Sequence, residues 1–274
     1  GAYIDSRDTW KYLAESGVNT VLAPVYWELI EPEEGRYDFS TVDYLLKSAR
    51  ANGQKLILLW FGSWKNSMSC YAPSWVKRGF NSEFELAANS DGSIPEIISA
   101  FSERNVRADA KAFASLMKYV RKADGSEGTV IMVQVENEIG MLGDARDHSR
   151  LAQNAYNSPV PYDMMYMLTS GKANDHINDV WKAAGKATTG SWKEVFGSSL
   201  EADEIFMAYW YARYTERVAA AGKTEYDIPM FVNTALNSRG RKAGEYPSAG
   251  PLAHLMPIWK TVAPSIDLIC PDIY

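Results

Sequence analysis

Continuous apolar runs alternate along this chain with segments whose apolar residues recur at helical spacing. One such run, KLILLWFGS, extends from Lys55 to Ser63. Runs of this kind predict strands that are buried on both faces, as in a parallel sheet covered by helices. The predicted strands are 18–27, 55–63, 129–135, 229–236 and 266–273.

Helices are predicted between these strands. Apolar residues spaced by three and four predict a helix over 107–123 and a longer one over 201–221, which Gly222 ends. Ser40 fits the N-cap of another helix. Pro251 fits the first turn of the helix that precedes the last strand.

This alternation of strands and helices is typical of two α/β architectures. One is a doubly wound open sheet, and the other is a (β/α)8 TIM barrel. The chain starts on a helix and stops in a strand, which favours a partial barrel. We therefore expect residues 1–274 to form a barrel domain that is incomplete at both ends. In either architecture, ligands bind beyond the carboxyl ends of the strands.

Residues 140–200 form the largest predicted insertion. It follows the third predicted strand, so in a barrel it lies on the rim where ligands bind. Short helices are predicted within it at 162–170 and 174–184. Long excursions in compact domains are usually lids or walls of a site. A subdomain without ligand contact is the alternative.

Composition and charge exclude several classes of function. The 274 residues carry a net charge of −6, so no basic surface for nucleic acid is expected. No apolar run approaches the roughly 18 residues of a membrane span. Two cysteines and three scattered histidines offer neither a disulfide framework nor metal-ligand spacing. We expect no metal site, and the oligomeric state stays open.

Polar and aromatic side chains stand at the carboxyl ends of the predicted strands, where an apolar core has no use for them. The clearest group is Glu136-Asn137-Glu138, after the third strand. Burial at the end of an apolar strand favours the protonated form of a carboxyl group, as general acid catalysis requires. The alternative is a helix N-terminus, where acidic residues interact favourably with the helix dipole.

Aromatic residues at two other strand ends have two interpretations. Trp27 and Trp64 either form walls for a sugar ring or belong to the core. Glu28 either accepts a hydrogen bond from a sugar hydroxyl or caps the loop that follows. Asn66 offers a donor to sugar hydroxyls. Tyr274, directly after the last predicted strand, is a further candidate for substrate binding.

Two stretches resemble glycoside hydrolase family 35, the β-galactosidase family. They are WELIEP, which begins at Trp27, and QVENEIG, which begins at Gln134; the first departs from the family pattern at Glu28 and Ile30. The run LWFGSWKN from Leu59 is similar to a bacterial branch of that family.

The resemblance implies a (β/α)8 barrel that removes terminal β-galactose from oligo- or polysaccharides by retaining double displacement, without a cofactor. It implies that Glu138 is the acid/base and that Asn137 orients the sugar 2-hydroxyl. The substrate-binding candidates are Trp27, Glu28, Trp64, Asn66 and Tyr274.

The same resemblance aligns the five predicted strands with the second to the sixth of the barrel. The nucleophilic glutamate is then expected after Tyr274, at the end of the seventh strand. A signal peptide before Gly1 would favour a periplasmic or secreted protein. Two alternatives remain: another retaining β-glycosidase of the same clan, such as a family 42 galactosidase or a family 5 β-glycanase, or a non-catalytic carbohydrate-binding protein.

Overall fold

The computed structural model describes residues 9–237 and 239–273. Their strands form one parallel sheet in which every strand pairs with the next along the chain. The strands are β1 (Thr20–Tyr26), β2 (Lys55–Lys65), β3 (Val130–Asn137), β4 (Met230–Thr234) and β5 (Leu268–Pro271). A doubly wound sheet reverses its strand order. The unreversed order confirms the prediction of a partial (β/α)8 barrel.

Helices connect the strands and cover one face of the sheet. They are α1 (Thr9–Glu15), α2 (Trp27–Ile30), α3 (Ser40–Ala51), α4 (Ser74–Arg78), α5 (Glu103–Asp124), α6 (Arg150–Tyr156), α7 (Tyr162–Thr169), α8 (Asp175–Ala183), α9 (Trp192–Phe196), α10 (Leu200–Glu225) and α11 (Met256–Val262). The two helices predicted within the insertion are thus present as α7 and α8. No helix in residues 9–237 or 239–273 has the length and apolar character to cross a membrane.

The core lies between the sheet and these helices. Leu56, Leu58 and Trp60 alternate along β2 and are fully buried on the face that the helices cover. The opposite face of the sheet is more open, and Leu22 on β1 is 57% exposed there. Successive strand residues point to opposite faces of the sheet. The main core therefore lies on the face that the helices cover.

Two predicted helix boundaries are wrong. Gly222 lies inside α10 instead of ending it, and a Cβ at this position would stand 2.3 Å from Cε1 of Phe113 on α5. The glycine therefore serves the close approach of two helices. The last helix begins at Met256 with Pro257 in its first turn, so Pro251 lies in the preceding loop. The start of α3 at Ser40 agrees with the prediction, but its N-cap is Phe39, so the predicted N-cap role of Ser40 is wrong.

Candidate active site

The carboxyl ends of β2 and β3 meet at one edge of the sheet. Lys65 pairs with Asn137, and the backbone N–H of Asn66 donates to Oδ1 of Asn137 at 3.3 Å. The Lys65 ammonium donates to the side-chain oxygen of Asn66. The structure thus brings two of the predicted site residues, Asn66 and Asn137, into contact.

Glu138 follows the last residue of β3, and neighbouring strands hold its backbone. Its N–H donates to Oδ1 of Asn233 on β4 at 2.8 Å. Asn233 in turn donates from Nδ2 to Asp272 at 2.7 Å, just after β5. On the other side, the Ser67 hydroxyl donates to the carbonyl oxygen of Glu138 at 2.9 Å. Glu138 is therefore fixed between the ends of β2, β4 and β5.

The alternation of side chains breaks down at the end of β3. Glu136 and Glu138 have φ angles of 62° and 46°, in the left-handed region that non-glycine residues seldom adopt. Glu136 is fully buried, whereas Asn137 and Glu138 are 7% and 8% exposed. The chain is already turning here, so Asn137 and Glu138 both retain some exposed surface.

Glu136 occupies a fully buried position between β2 and α5. The backbone N–H of Trp64 donates to its Oε2 at 2.8 Å. Burial raises the pKa of Glu136 well above its ordinary value, and the adjacent Asp109 carboxyl adds to the shift. The sequence places this residue beside the predicted acid without assigning it a separate role.

Asp109 is a functional candidate that the sequence analysis misses. It is fully buried on α5 and accepts hydrogen bonds from Nε1 of Trp60 at 2.9 Å and from the Ser63 hydroxyl at 2.6 Å. Its position carries a signal that could have revealed it. A charged residue interrupts the apolar face of a helix between Val106 and Phe113, where a buried carboxyl requires partners.

The expected stacking roles of Trp27 and Trp64 are wrong. Both indoles are fully buried, so neither has a face to offer a sugar ring. Trp27 donates to Glu31 at 2.9 Å, whereas Trp64 donates to the carbonyl of Ile98 at 3.2 Å and packs edge-on against Tyr214. Trp27, at the start of α2, and Trp64, near the end of β2, therefore belong to the core.

A different aromatic group lies at the ends of β1 and β2. Tyr26 contacts Tyr71 and Phe61, with ring centroids 4.5 and 5.6 Å away. The partly exposed Glu28 lies next to this group, and its N–H donates to the carbonyl of Tyr71 at 3.0 Å. Burial raises the pKa of Tyr26, and Tyr71 and Glu28 contribute further. Tyr71 follows an irregular loop, and no sequence pattern identifies it.

Two further expectations concern Tyr274 and metal binding. Tyr274 lies outside the described residues. In residues 9–237 and 239–273 no group of three or more His, Cys, Asp or Glu side chains is arranged to hold a metal ion.

Comparison with known proteins identifies relatives of this chain. The family model Glyco_hydro_42, described as β-galactosidase, matches residues 5–196. A β-galactosidase of Xanthomonas manihotis is 31% identical over 164 residues, which are 58% of this chain and 25% of that protein. This chain therefore spans about a quarter of the length of that relative.

Solved structures share the fold at low sequence identity. A β-galactosidase from the psychrophilic Marinomonas ef1 has a TM-score of 0.62 at 13% identity, over 98% of this chain and 39% of that chain. The catalytic domain of a β-amylase from Paenibacillus polymyxa has the same TM-score and identity, over 98% of this chain and 73% of that chain. Because proteins with different names match equally well, this likeness shows the fold and not the substrate.

The family match corrects the assignment made from the sequence. The resemblance to family 35 rested on short motifs, whereas the matched model is that of family 42 and extends over residues 5–196. The assignment to family 35 and its bacterial branch is therefore wrong. The broader assignment to a β-galactosidase family of glycoside hydrolases is confirmed.

Proposed function

This chain belongs to the Glyco_hydro_42 β-galactosidase family, and on that premise we propose that the complete protein is a retaining glycoside hydrolase. Its substrate in this proposal is an oligo- or polysaccharide with a terminal β-galactose. The observation that carries the proposal is the position of Glu138. It lies at the carboxyl end of a parallel strand, with its backbone fixed from both sides.

In this proposal Glu138 is the acid/base. It protonates the glycosidic oxygen as the bond to the leaving group breaks, and it then deprotonates the water that releases the sugar. A second carboxylate, about 5–5.5 Å from the first, attacks the anomeric carbon in a retaining mechanism. That role is assigned to no residue of this chain.

Asn137 is proposed to orient the sugar 2-hydroxyl. Its Oδ1 accepts from the N–H of Asn66, which fixes the side-chain amide and leaves Nδ2 to donate. A hydrogen bond to the 2-hydroxyl strengthens in the oxocarbenium-like transition state. Asn66 supports this geometry through its backbone, so its proposed part is to hold Asn137.

Other polar and aromatic groups near these strand ends complete the proposed substrate site. Glu28 and Tyr71 are partly exposed next to the carboxyl end of β1, and we propose that they contact the substrate. Residues 140–200, which contain α6 to α9, are proposed as a wall on the catalytic rim. They follow Glu138 directly, which supports that position.

A substrate screen with stereochemical analysis tests the proposal. The complete protein is assayed on nitrophenyl β-galactoside, β-glucoside and β-xyloside, and proton NMR identifies the first-formed anomer of the released sugar. We expect preferential hydrolysis of the galactoside with release of the β-anomer. Release of the α-anomer would contradict the retaining mechanism, and preference for another glycoside would contradict the assignment of the sugar. Absence of all hydrolysis would favour a binding protein.

A further inference from the structure

Two buried carboxyl groups meet beneath the end of β3. Glu136 and Asp109 are both fully buried. Both carboxyl groups lie against Gly62. A Cβ atom on this glycine would stand 2.7 Å from Oε1 of Glu136 and 2.8 Å from Oδ1 of Asp109. A glycine is required there, because any side chain would collide with both oxygens. Two adjacent carboxyl groups that are both fully buried cannot both be ionised, so one of them keeps a proton.

The supply of hydrogen-bond donors indicates which carboxyl keeps the proton. Asp109 is surrounded by donors. They are Nε1 of Trp60 at 2.9 Å, N–H of Ser63 at 3.1 Å, Oγ of Ser63 at 2.6 Å and the hydroxyl of Tyr214 at 3.3 Å. A group that receives this many hydrogen bonds is best satisfied as the anion.

Glu136 has the opposite surroundings. Its Oε2 accepts from the N–H of Trp64, but its Oε1 meets no donor. As a carboxylate it would leave that buried oxygen unsatisfied, which costs free energy. A proton on Oε1 makes this oxygen the donor of a hydrogen bond to Asp109. Within residues 9–237 and 239–273, no Lys, Arg or His side chain forms a hydrogen bond or an ion pair with either carboxyl group.

We propose that Glu136, protonated and hydrogen-bonded to the Asp109 carboxylate, is a positioning residue that sets the backbone carrying Asn137 and Glu138. The inference rests on the proposed hydrolase function. The pair connects the end of β3 to β2, through Trp64 N–H, and to α5, through Asp109. The carbonyl of Glu136 is also held, because Nε2 of Gln134 donates to it at 2.7 Å.

This connection explains how the unusual backbone is maintained. Left-handed φ angles at non-glycine residues persist only where the surroundings hold them. Glu136 has such an angle, and its side chain is anchored on two other elements. Loss of the anchor lets the turn relax and moves Glu138 relative to the glycosidic oxygen. A misplacement of about 1 Å can lower the rate by about 100-fold.

Two substitutions at one position separate positioning from general damage. Glu136→Gln keeps the shape, accepts from Trp64 and donates from Nε2 to Asp109, so it mimics the protonated residue. In the complete protein we expect its kcat to lie within about threefold of wild type. Glu136→Ala removes the connection, and its kcat should fall by about 100-fold with a much smaller change in KM.

The opposite pattern would overturn the inference. If Glu136→Gln loses as much kcat as Glu136→Ala, the wild-type residue does not act as a neutral donor. If Glu136→Ala retains wild-type kcat, the residue does not position Glu138. Asp109→Asn provides a further comparison, because its NH2 group faces donors instead of accepting from them. We expect kcat to fall in Asp109→Asn, unlike in Glu136→Gln.

Two measurements do not depend on activity and so separate this inference from the proposed function. An infrared difference spectrum, wild type minus Glu136→Gln at neutral pH, should contain the carbonyl band of a protonated carboxylic acid. Hydrogen exchange at the Glu138 amide should be faster in Glu136→Ala and unchanged in Glu136→Gln.

If wild type hydrolyses no glycoside, the proposed function fails, and these two results still decide the inference. A missing carboxylic acid band would overturn it, as would accelerated exchange in Glu136→Gln. If Glu136→Ala does not fold, the Glu136→Gln results alone decide.

Discussion

Glu136 and Glu204 are two buried glutamates with very different surroundings. Glu204 on α10 is 2% exposed, and both of its oxygens have donors. Its Oε1 accepts from the Tyr246 hydroxyl at 2.9 Å and from the N–H of Ala249 at 3.1 Å, while Nε2 of His254 lies 2.9 Å from Oε2. Glu136 accepts from the N–H of Trp64 at Oε2 and has the N–H of Ser63 nearby, but its Oε1 has no hydrogen-bond partner and lies beside a second carboxyl group.

The difference shows that burial alone does not decide what a carboxyl group does. Three partners satisfy Glu204 and tie α10 to the loop that precedes α11, which is a structural task. Glu136 has no donor at Oε1, so burial and a neighbouring carboxyl group favour its protonated form. Glu204 thus stabilises a loop through hydrogen bonds, whereas Glu136 favours its protonated form beneath the proposed active site.

The largest effect should come from Glu138, which belongs to neither buried group. Glu138→Gln in the complete protein should lower kcat by about 100- to 10,000-fold on glycosides with poor leaving groups, because these need protonation. Activated aryl glycosides should lose less in the first chemical step. Steady-state and pre-steady-state kinetics on both substrate types measure this difference. Glu127→Gln, an exposed glutamate near the start of β3, is the control and should retain full activity. An equal loss on both substrate types would contradict the acid assignment.

A smaller effect, on stability, should come from Glu204. Glu204→Ala leaves three buried or half-buried partners without their acceptor and should lower the free energy of unfolding by about 3 kcal/mol. Denaturant unfolding measures the change. The matched control is Glu201→Ala at the exposed start of the same helix, which should cost at most about 1 kcal/mol. Equal losses in the two variants would show that the three hydrogen bonds of Glu204 stabilise nothing.

The smallest effects should appear in the pH dependence of stability, with opposite signs in the two regions. The pKa of Glu136 is raised by burial, so the folded protein holds a proton that the unfolded chain releases. Stability should therefore fall as the pH rises above the ordinary range of glutamate, and Glu136→Gln should flatten that slope. Thermal unfolding from pH 5 to pH 8 tests this, and an unchanged slope would contradict it.

The pH dependence of stability under acidic conditions depends on the region around Glu204. His176 lies 4.9 Å from His254 between ring centroids, and burial lowers its pKa below the ordinary 6.5, with the neighbouring histidine adding to the shift. The unfolded chain then binds the proton more readily, so stability should fall as the pH drops through and below that value. His176→Gln should flatten this acid slope and leave the alkaline slope unchanged.

The sequence predicted the sheet better than the helix ends. Strands such as β2 were recognisable because continuous apolar runs report burial on both faces. Gly222 and Pro251 were misread because glycine and proline also occur for close packing and in loops, and their local pattern does not tell these uses apart. Tertiary packing decided both positions.

For the candidate site, the sequence indicated the strand ends but not the side-chain directions. Asn66 and Asn137 do meet, since the carboxyl ends of adjacent parallel strands share an edge. Trp27 and Trp64 were placed wrongly because the direction of a side chain depends on the local turn. Asp109 lies 46 positions from Ser63 along the chain, and only the packing of α5 on β2 brings them together.

Two anchors outside the proposed wall of the site hold the backbone of Glu138. Its N–H and carbonyl are held by Asn233 and Ser67, which belong to β4 and to the loop after β2. Neither anchor belongs to residues 140–200, the segment that follows. That segment is itself packed into the core, because Met141, Met164 and Trp192 are at most 1% exposed. A designer who wants to alter what the proposed rim admits can therefore change exposed side chains of the segment, such as Tyr162, without touching either hydrogen bond that holds the Glu138 backbone.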